Sequence, residues 1–111
     1  MSGILVKAYA SFQPVSDVLY ESLRQLLVDW NLEQVLSRQG DHLRISHEGV
    51  YFPAVEVARL INDFLDDKIE GKLDYIDLEN WHLHRYSVSS RKLVYRKVSL
   101  DIVLDSCAHS K

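Results

Sequence analysis

Two histidines lie two positions apart in the stretch WHLHRYSV, which covers residues 81–88. Side chains two apart on a β-strand point to the same face, so His82 and His84 could bind one metal ion together. A metal site needs at least a third ligand, and the sequence places no other histidine or carboxylate beside them. We therefore predict a surface with no resident metal and no cofactor. A metal pair, a catalytic pair and a pH-sensing pair are the alternatives.

The stretch begins a predicted β-hairpin, whose second strand covers residues 93–104. If Val88 lies opposite Leu93, the numbers of opposing residues sum to 181. This register leaves Arg85 opposite Arg96 on the core side, where solvent access would be needed. The side predicted to face the core is apolar and comprises Trp81, Leu83, Val98 and Leu100. The other side and the turn form the predicted binding surface, which comprises His82, His84, Tyr86, Arg91, Lys92, Tyr95 and Lys97.

Charge changes sign along the chain near residue 81. Residues 56–79 contain eight acids and three bases, a net charge of −5, whereas residues 80–98 contain five bases and no acid, a net charge of +5. The basic hairpin could bind an acidic protein surface, with tyrosine and arginine as anchors, or it could bind nucleic acid. Alternatively, the acidic segment folds back onto the hairpin and forms surface ion pairs.

Motifs for enzymatic chemistry are absent from this sequence. There is no Gly-x-Ser-x-Gly elbow and no phosphate-binding loop, and four glycines are too few for Gly-rich cradles. Asp74, Asp77 and Glu79 could act as acid and base, and Cys107 with His109 could pair a nucleophile with a base. The first set is more typical of a solvated loop and the second of a frayed terminus. We therefore predict no catalytic residues.

Hydrophobic periodicity predicts the elements that position this hairpin. A strand is predicted over residues 3–10, and a helix over residues 16–30 with Ser16 as its N-cap. Turn signals within residues 34–52 favour a further hairpin. A second helix is predicted over residues 53–67, because proline suits its first turn and an apolar stripe follows.

The acidic segment after the second helix is predicted as a loop with a short extended piece at residues 73–78. The element order is then βαββαββ, similar to a ferredoxin-like arrangement. We expect an α+β fold with a mainly antiparallel sheet and two helices packed on one face, because each helix has one apolar stripe to bury. Element order alone implies no function.

The composition predicts a single domain over residues 1–111. Hydrophobic residues make up 47% of the chain, which is enough to bury a core without disulfides. Cys107 is the only cysteine of the sequence, which favours a reducing compartment. No secretion leader and no apolar run of about 18 residues are found. We expect a cytoplasmic protein that does not enter a membrane.

These features predict a small non-enzymatic protein that binds a protein partner, or binds a second copy of itself through an edge strand. The first alternative is a nucleic-acid-binding module that uses the basic hairpin over residues 81–98. The second is a small enzyme or ligand-binding domain without a recognisable motif.

Overall fold

The computed structural model describes residues 3–100, so Cys107 and His109 lie outside the described part of the chain. That part contains two α-helices, one short 3-10 helix and six strands. The helices are α1 (Asp17–Asp29) and α2 (Ala54–Asn62), and the 3-10 helix covers Glu33–Val35. The strands are β1 (Val6–Gln13), β2 (Leu36–Gln39), β3 (His42–Gly49), β4 (Glu70–Asp77), β5 (His82–Ser89) and β6 (Lys92–Ser99).

The strands form one antiparallel sheet in the order β2-β3-β1-β4-β5-β6. The predicted element order βαββαββ, and with it the ferredoxin-like arrangement, is wrong, because the described chain reads βαββαβββ and strands dominate. The difference is β4, whose acidic composition predicted a loop. Acidic residues are poor strand formers, yet β4 pairs along its length with both β1 and β5. These two ladders outweigh the local preference.

The predicted first helix is confirmed as α1. The Ser16 side chain accepts a hydrogen bond from the Leu19 amide at 3.1 Å, which satisfies one of the free donors at the helix start. The buried stripe of α1 follows from leucines at spacings of four, and it consists of Leu19, Leu23 and Leu27.

The second helix begins at Ala54, with Pro53 at the N-cap, and ends at Asn62, earlier than the predicted residue 67. In the segment that follows, the Asp66 carboxylate accepts hydrogen bonds from the amides of Lys68 and Ile69. These bonds form a local turn shortly before β4. No helix in the described residues is long and apolar enough to cross a membrane.

The two faces of the sheet differ in covering. Both helices pack against one face, here called the inner face, and bury its side chains in one hydrophobic core. On β1 the inner residues alternate with exposed or half-buried ones on the opposite, outer face, as a half-covered strand requires. The inner side chains at the centre of the sheet include Ala8, Ala10, Leu43, Ile45 and Leu73.

Candidate functional site

The predicted pairing of the last hairpin is confirmed residue for residue. β5 and β6 pair with Val88 opposite Leu93 and His84 opposite Lys97, so opposing numbers sum to 181. The turn between them consists of Ser90 and Arg91, both with positive φ. This is the backbone combination that a two-residue type I′ turn requires.

The assignment of the two faces of this hairpin is wrong, however. His84 lies opposite Tyr75 of β4, and Tyr75 lies opposite the buried Ala8 of β1, so the histidine side continues the inner face. Leu83 and Val98 instead lie on the outer face. Trp81, expected in the core, precedes β5 with a positive φ and is exposed.

The outer face accounts for the two arginines that the register had placed toward the core. Arg85 and Arg96 point to the open side of the sheet, where solvent reaches them. Arg85 donates two hydrogen bonds to the Asp74 carboxylate across the β4–β5 ladder, at 2.7 and 2.9 Å. This bidentate pair is charge-assisted and keeps the Arg85 pKa above its ordinary value.

Five of the seven predicted binding residues share the inner face of β5 and β6. This set is here called the hairpin face and consists of His82, His84, Tyr86, Tyr95 and Lys97. Of the other two, Arg91 lies in the turn and pairs with Asp67 at 3.0 Å, whereas Lys92 points to the outer face.

Ring contacts hold the hairpin face together. His84 Nδ1 and the Tyr95 hydroxyl are hydrogen-bonded at 2.7 Å, and their rings stack with centroids 5.9 Å apart. Tyr86 contacts Tyr95 from the other side at 5.0 Å, and His82 approaches His84 edge-on at 6.3 Å. Such cross-strand aromatic pairs stabilise a sheet and fix the orientation of their rings.

Electrostatics keep the centre of the hairpin face uncharged. Burial lowers the pKa of His84, and the positive charge of Lys97 lowers it further, while Asp77 acts in the opposite direction. Burial likewise raises the pKa of the Tyr86 hydroxyl. At neutral pH a partner would therefore meet the uncharged rings of His84 and Tyr86, with Lys97 beside them.

A groove separates the hairpin face from α2. A depression of about 240 Å³ lies at the start of the helix, and a second of about 460 Å³ continues toward its end. Val55 and Tyr86 line both, so the two depressions are neighbours, and they are here together called the groove. The first is also lined by Tyr51, Glu56, Tyr75 and His84, and the second by Ala58, Arg59, Asp63 and Leu93.

Large apolar side chains line a path across this groove. Trp30 packs on Tyr51 with ring centroids 4.9 Å apart, and Tyr51 shares the first depression with Val55 and Tyr86. Tyr86 in turn contacts Tyr95, which is 47% exposed at the edge of the sheet. These five residues, here called the apolar stripe, run from the end of α1 to β6.

Three members of the apolar stripe, Trp30, Tyr51 and Val55, were not predicted as binding residues. Val55 carried a weak signal, because it lies outside the apolar periodicity of α2 and is 48% exposed. Trp30 and Tyr51 follow α1 and β3 in the chain, and no local pattern separates them from core aromatics. Their common surface depends on tertiary packing.

The carboxylates proposed as an acid and base pair have structural partners. Asp74 binds Arg85, and Asp77 accepts hydrogen bonds from the Glu79 amide and from the amide and side chain of Asn80. The side-chain hydrogen bond from Asn80 lowers the pKa of Asp77. Within residues 3–100, no group of three His, Cys, Asp or Glu side chains has the arrangement of a metal site.

The acidic segment packs on the basic hairpin, as expected if it folds back and forms surface ion pairs. β4 pairs directly with β5, and Asp74 and Asp67 bind Arg85 and Arg91. The other hairpin cations are Lys92, Arg96 and Lys97, and none has an ion pair within the described part of the chain.

No protein-family model matches this chain, and neither a curated protein nor a solved structure matches it. Its function must therefore be inferred from the surface itself.

Proposed function

We propose that this chain is a protein-binding domain whose partner contacts the apolar stripe and the groove beneath it. The observation that carries the proposal is the continuity of the stripe. Its five large side chains contact or face one another from the end of α1 to β6. Four of them, Trp30, Tyr51, Val55 and Tyr95, are 44–48% exposed. Exposed apolar patches bordered by polar groups are typical of protein interaction sites.

The residue types in the stripe support a protein partner. Tyrosine and tryptophan are the residues that most often anchor interfaces, because they bury a large area and lose little side-chain entropy. Glu56 and Arg59 line the groove, and Lys97 lies on the same face of β6 as Tyr95, so charged groups border the stripe as in the rim of an interface.

Nucleic acid is a weaker candidate for the same surface. Two of the five hairpin cations, Arg85 and Arg91, are neutralised by acids of this chain. Glu56 and Asp63 add negative charge to the groove, where phosphates would be repelled.

Further, we propose the cytoplasm as the site of action, because a lone cysteine suits a reducing compartment.

Site-specific crosslinking tests the proposed function. A photoactivatable amino acid replaces Val55 in the stripe or, as a matched control, the exposed Val18 on α1, and each variant is irradiated in lysate of the source organism. We expect a protein crosslink from position 55 and none from position 18. Tyr51→Ala with Tyr95→Ala should weaken capture of the same partner at least about tenfold, and Val18→Ala should not change it.

Three outcomes would contradict the proposed function. The first is equal crosslinking from positions 18 and 55. The second is a crosslinked product that nuclease removes, which would identify the partner as nucleic acid. The third is capture that the tyrosine substitutions leave unchanged although the variants stay folded by circular dichroism.

A further inference from the structure

The strand β6 forms one edge of the sheet within the described residues. It is eight residues long and pairs with β5 at every position without a bulge. The opposite edge, β2, has four residues. Long regular edges are templates for a further strand, whereas short edges are one of the ways in which proteins avoid such pairing.

The register shows which backbone groups of β6 face outward. In a two-residue hairpin the closing pair, Ser89 and Lys92, exchanges both hydrogen bonds, and bonded pairs then alternate along the ladder. Residues 94, 96 and 98 therefore bond to β5. Leu93, Tyr95 and Lys97 direct their N–H and C=O groups to the open edge, which makes three donors and three acceptors.

The same three residues point their side chains to the inner face. A strand added to β6 would thus bond to the backbone of Leu93, Tyr95 and Lys97 while its own side chains lay beside the apolar stripe. The edge and the groove are parts of one surface.

Charge selects the occupant of this edge. Lys92, Arg96 and Lys97 have no acidic partner in the described part of the chain, and the strand itself contains no acid. A second copy paired through β6 would bring three cations from each protomer, six in all, to one seam. Lysines on an edge strand oppose such self-pairing. Acidic side chains of an added strand would instead lie beside Lys92 and Arg96 on the outer face, while its alternate side chains would face the apolar stripe.

We infer that β6 binds an extended, acidic segment of a partner protein by strand addition, with that segment lying between the open edge and the apolar stripe. This inference rests on the proposed function and adds the mode of recognition and the chemistry of the partner. Main-chain hydrogen bonds supply affinity in this mode, and alternate side chains supply specificity.

The probe is a synthetic peptide of about eight residues that alternates valine with glutamate, and a peptide alternating valine with lysine is its control. We expect the acidic peptide to bind at least about tenfold more tightly than the basic one, and added salt to weaken its binding. On binding, hydrogen exchange at the amides of Leu93, Tyr95 and Lys97 should slow, while that of Val94 should be unchanged.

Two variants of one residue separate backbone pairing from charge. Lys97→Pro removes the outward N–H and the charge, whereas Lys97→Ala removes the charge alone. Proline is tolerated at such a position of an edge strand because its missing N–H does not serve the β5 ladder. We expect Lys97→Pro to weaken peptide binding at least about fivefold beyond Lys97→Ala. The exchange measurement on the unmodified chain decides the question if the proline variant does not fold.

Several results would overturn the inference. Equal binding by the proline and alanine variants, or unprotected edge amides in the complex, would show that β6 is not extended by a strand. Protected edge amides in the free protein, together with a dimer mass in gel filtration, would identify a second copy as the occupant. Displacement of the peptide by a mixed single-stranded oligonucleotide would identify nucleic acid.

The two proposals fail in different ways. If the partner crosslinked at position 55 depends on Tyr95 but not on the outward N–H of residue 97, the strand-addition inference fails and the proposed function stands. If position 55 crosslinks no more protein than position 18, and loss of Tyr95 leaves capture of the partner unchanged, both proposals fail.

Discussion

The inner face of this sheet is a core at β1 and β4 and a surface at β6. Leu73 on β4 is 0% exposed, whereas Tyr95, two strands away on the same face, is 47% exposed. Width explains the difference: a helix is about 10 Å across and strands lie about 4.8 Å apart, so two helices cover about four strands. The sheet has six. Side chains alternate between the two faces in the same way on β4 and β6. An inner side chain is therefore buried where helices cover the strand and exposed where they do not.

The first test of the difference between the packed strand β4 and the exposed strand β6 adds a methyl group at Gly71, where β4 packs against β1. A Cβ on Gly71 would collide with the Ser11 carbonyl oxygen and lie 2.8 Å from the Phe12 Cα, and its φ of +150° disfavours other residues. We expect Gly71→Ala to lower the free energy of unfolding by about 2–6 kcal/mol, from strain and overpacking together. Denaturant titration measures the loss. Gly3→Ala, with no atom within 4 Å of the added carbon, is the matched control and should have no effect.

Truncation of one side chain in each region compares the core with the surface directly. Leu73→Ala should cost about 2–5 kcal/mol of unfolding free energy, because it leaves a cavity beneath the helices. Tyr95→Ala should cost only about 1 kcal/mol, from the lost ring contact and the hydrogen bond to His84. Thermal or urea unfolding of both variants provides the measurement. Equal losses would mean that β6 is as covered as β4.

The two ion pairs of the hairpin, one across the β4–β5 ladder and one at the turn, should differ less in their contribution to stability than Leu73 and Tyr95 do. Asp74→Ala removes a bidentate partner of Arg85 at a mostly buried carboxylate, and we expect a loss of about 1 kcal/mol. Asp67→Ala removes an exposed partner of Arg91, and the expected loss is below about 0.5 kcal/mol. Raising the salt concentration should reduce the second effect more than the first. A reversed order would show that the hairpin is held mainly at its turn.

Protonation of His84 gives the smallest expected effect. Its folded-state pKa lies below the ordinary value of about 6.5, so the unfolded chain binds the proton more tightly. The neutral ring contributes full stability above pH 6.5, and this contribution falls as the pH drops through the folded-state pKa. His84→Asn should flatten the stability curve in that acidic window. An NMR titration of the His84 ring with a midpoint above 6.5 would contradict the shift.

Local patterns in the sequence predict α1 and the pairing of the last hairpin. Ser16 and the leucine spacing specify the first, and the Ser90–Arg91 turn with its flanking alternation specifies the second. The strand β4 is not predictable in this way, because its acidic side chains are poor strand formers. It is a strand because it pairs with β1 and β5, and such long-range pairing cannot be read from local sequence.

The candidate site was predictable in part for the same reason. Register places His84, Tyr86 and Tyr95 on one face, and this follows from the hairpin alone. Which side of the sheet that face joins depends on Leu73 lying opposite Tyr86, a contact between separate segments. Apolar Leu83 suggested the wrong side, since it lies on the outer face opposite Ile76, and apolar side chains occur on both faces of this sheet. Val55 lines the groove only because α2 packs beside β5, and the local sequence does not show this packing.

The pair between Arg91 and Asp67 lies at the tip of the β5–β6 hairpin, where it links the turn to the segment that follows α2. Both side chains are exposed, so the pair adds little to an attachment that the β4 ladder and the buried Val88 already provide. Asp67 is therefore a weak internal competitor for the Arg91 guanidinium. An acidic strand that arrives at β6 would compete with it, and higher ionic strength would weaken both the internal pair and the incoming attraction.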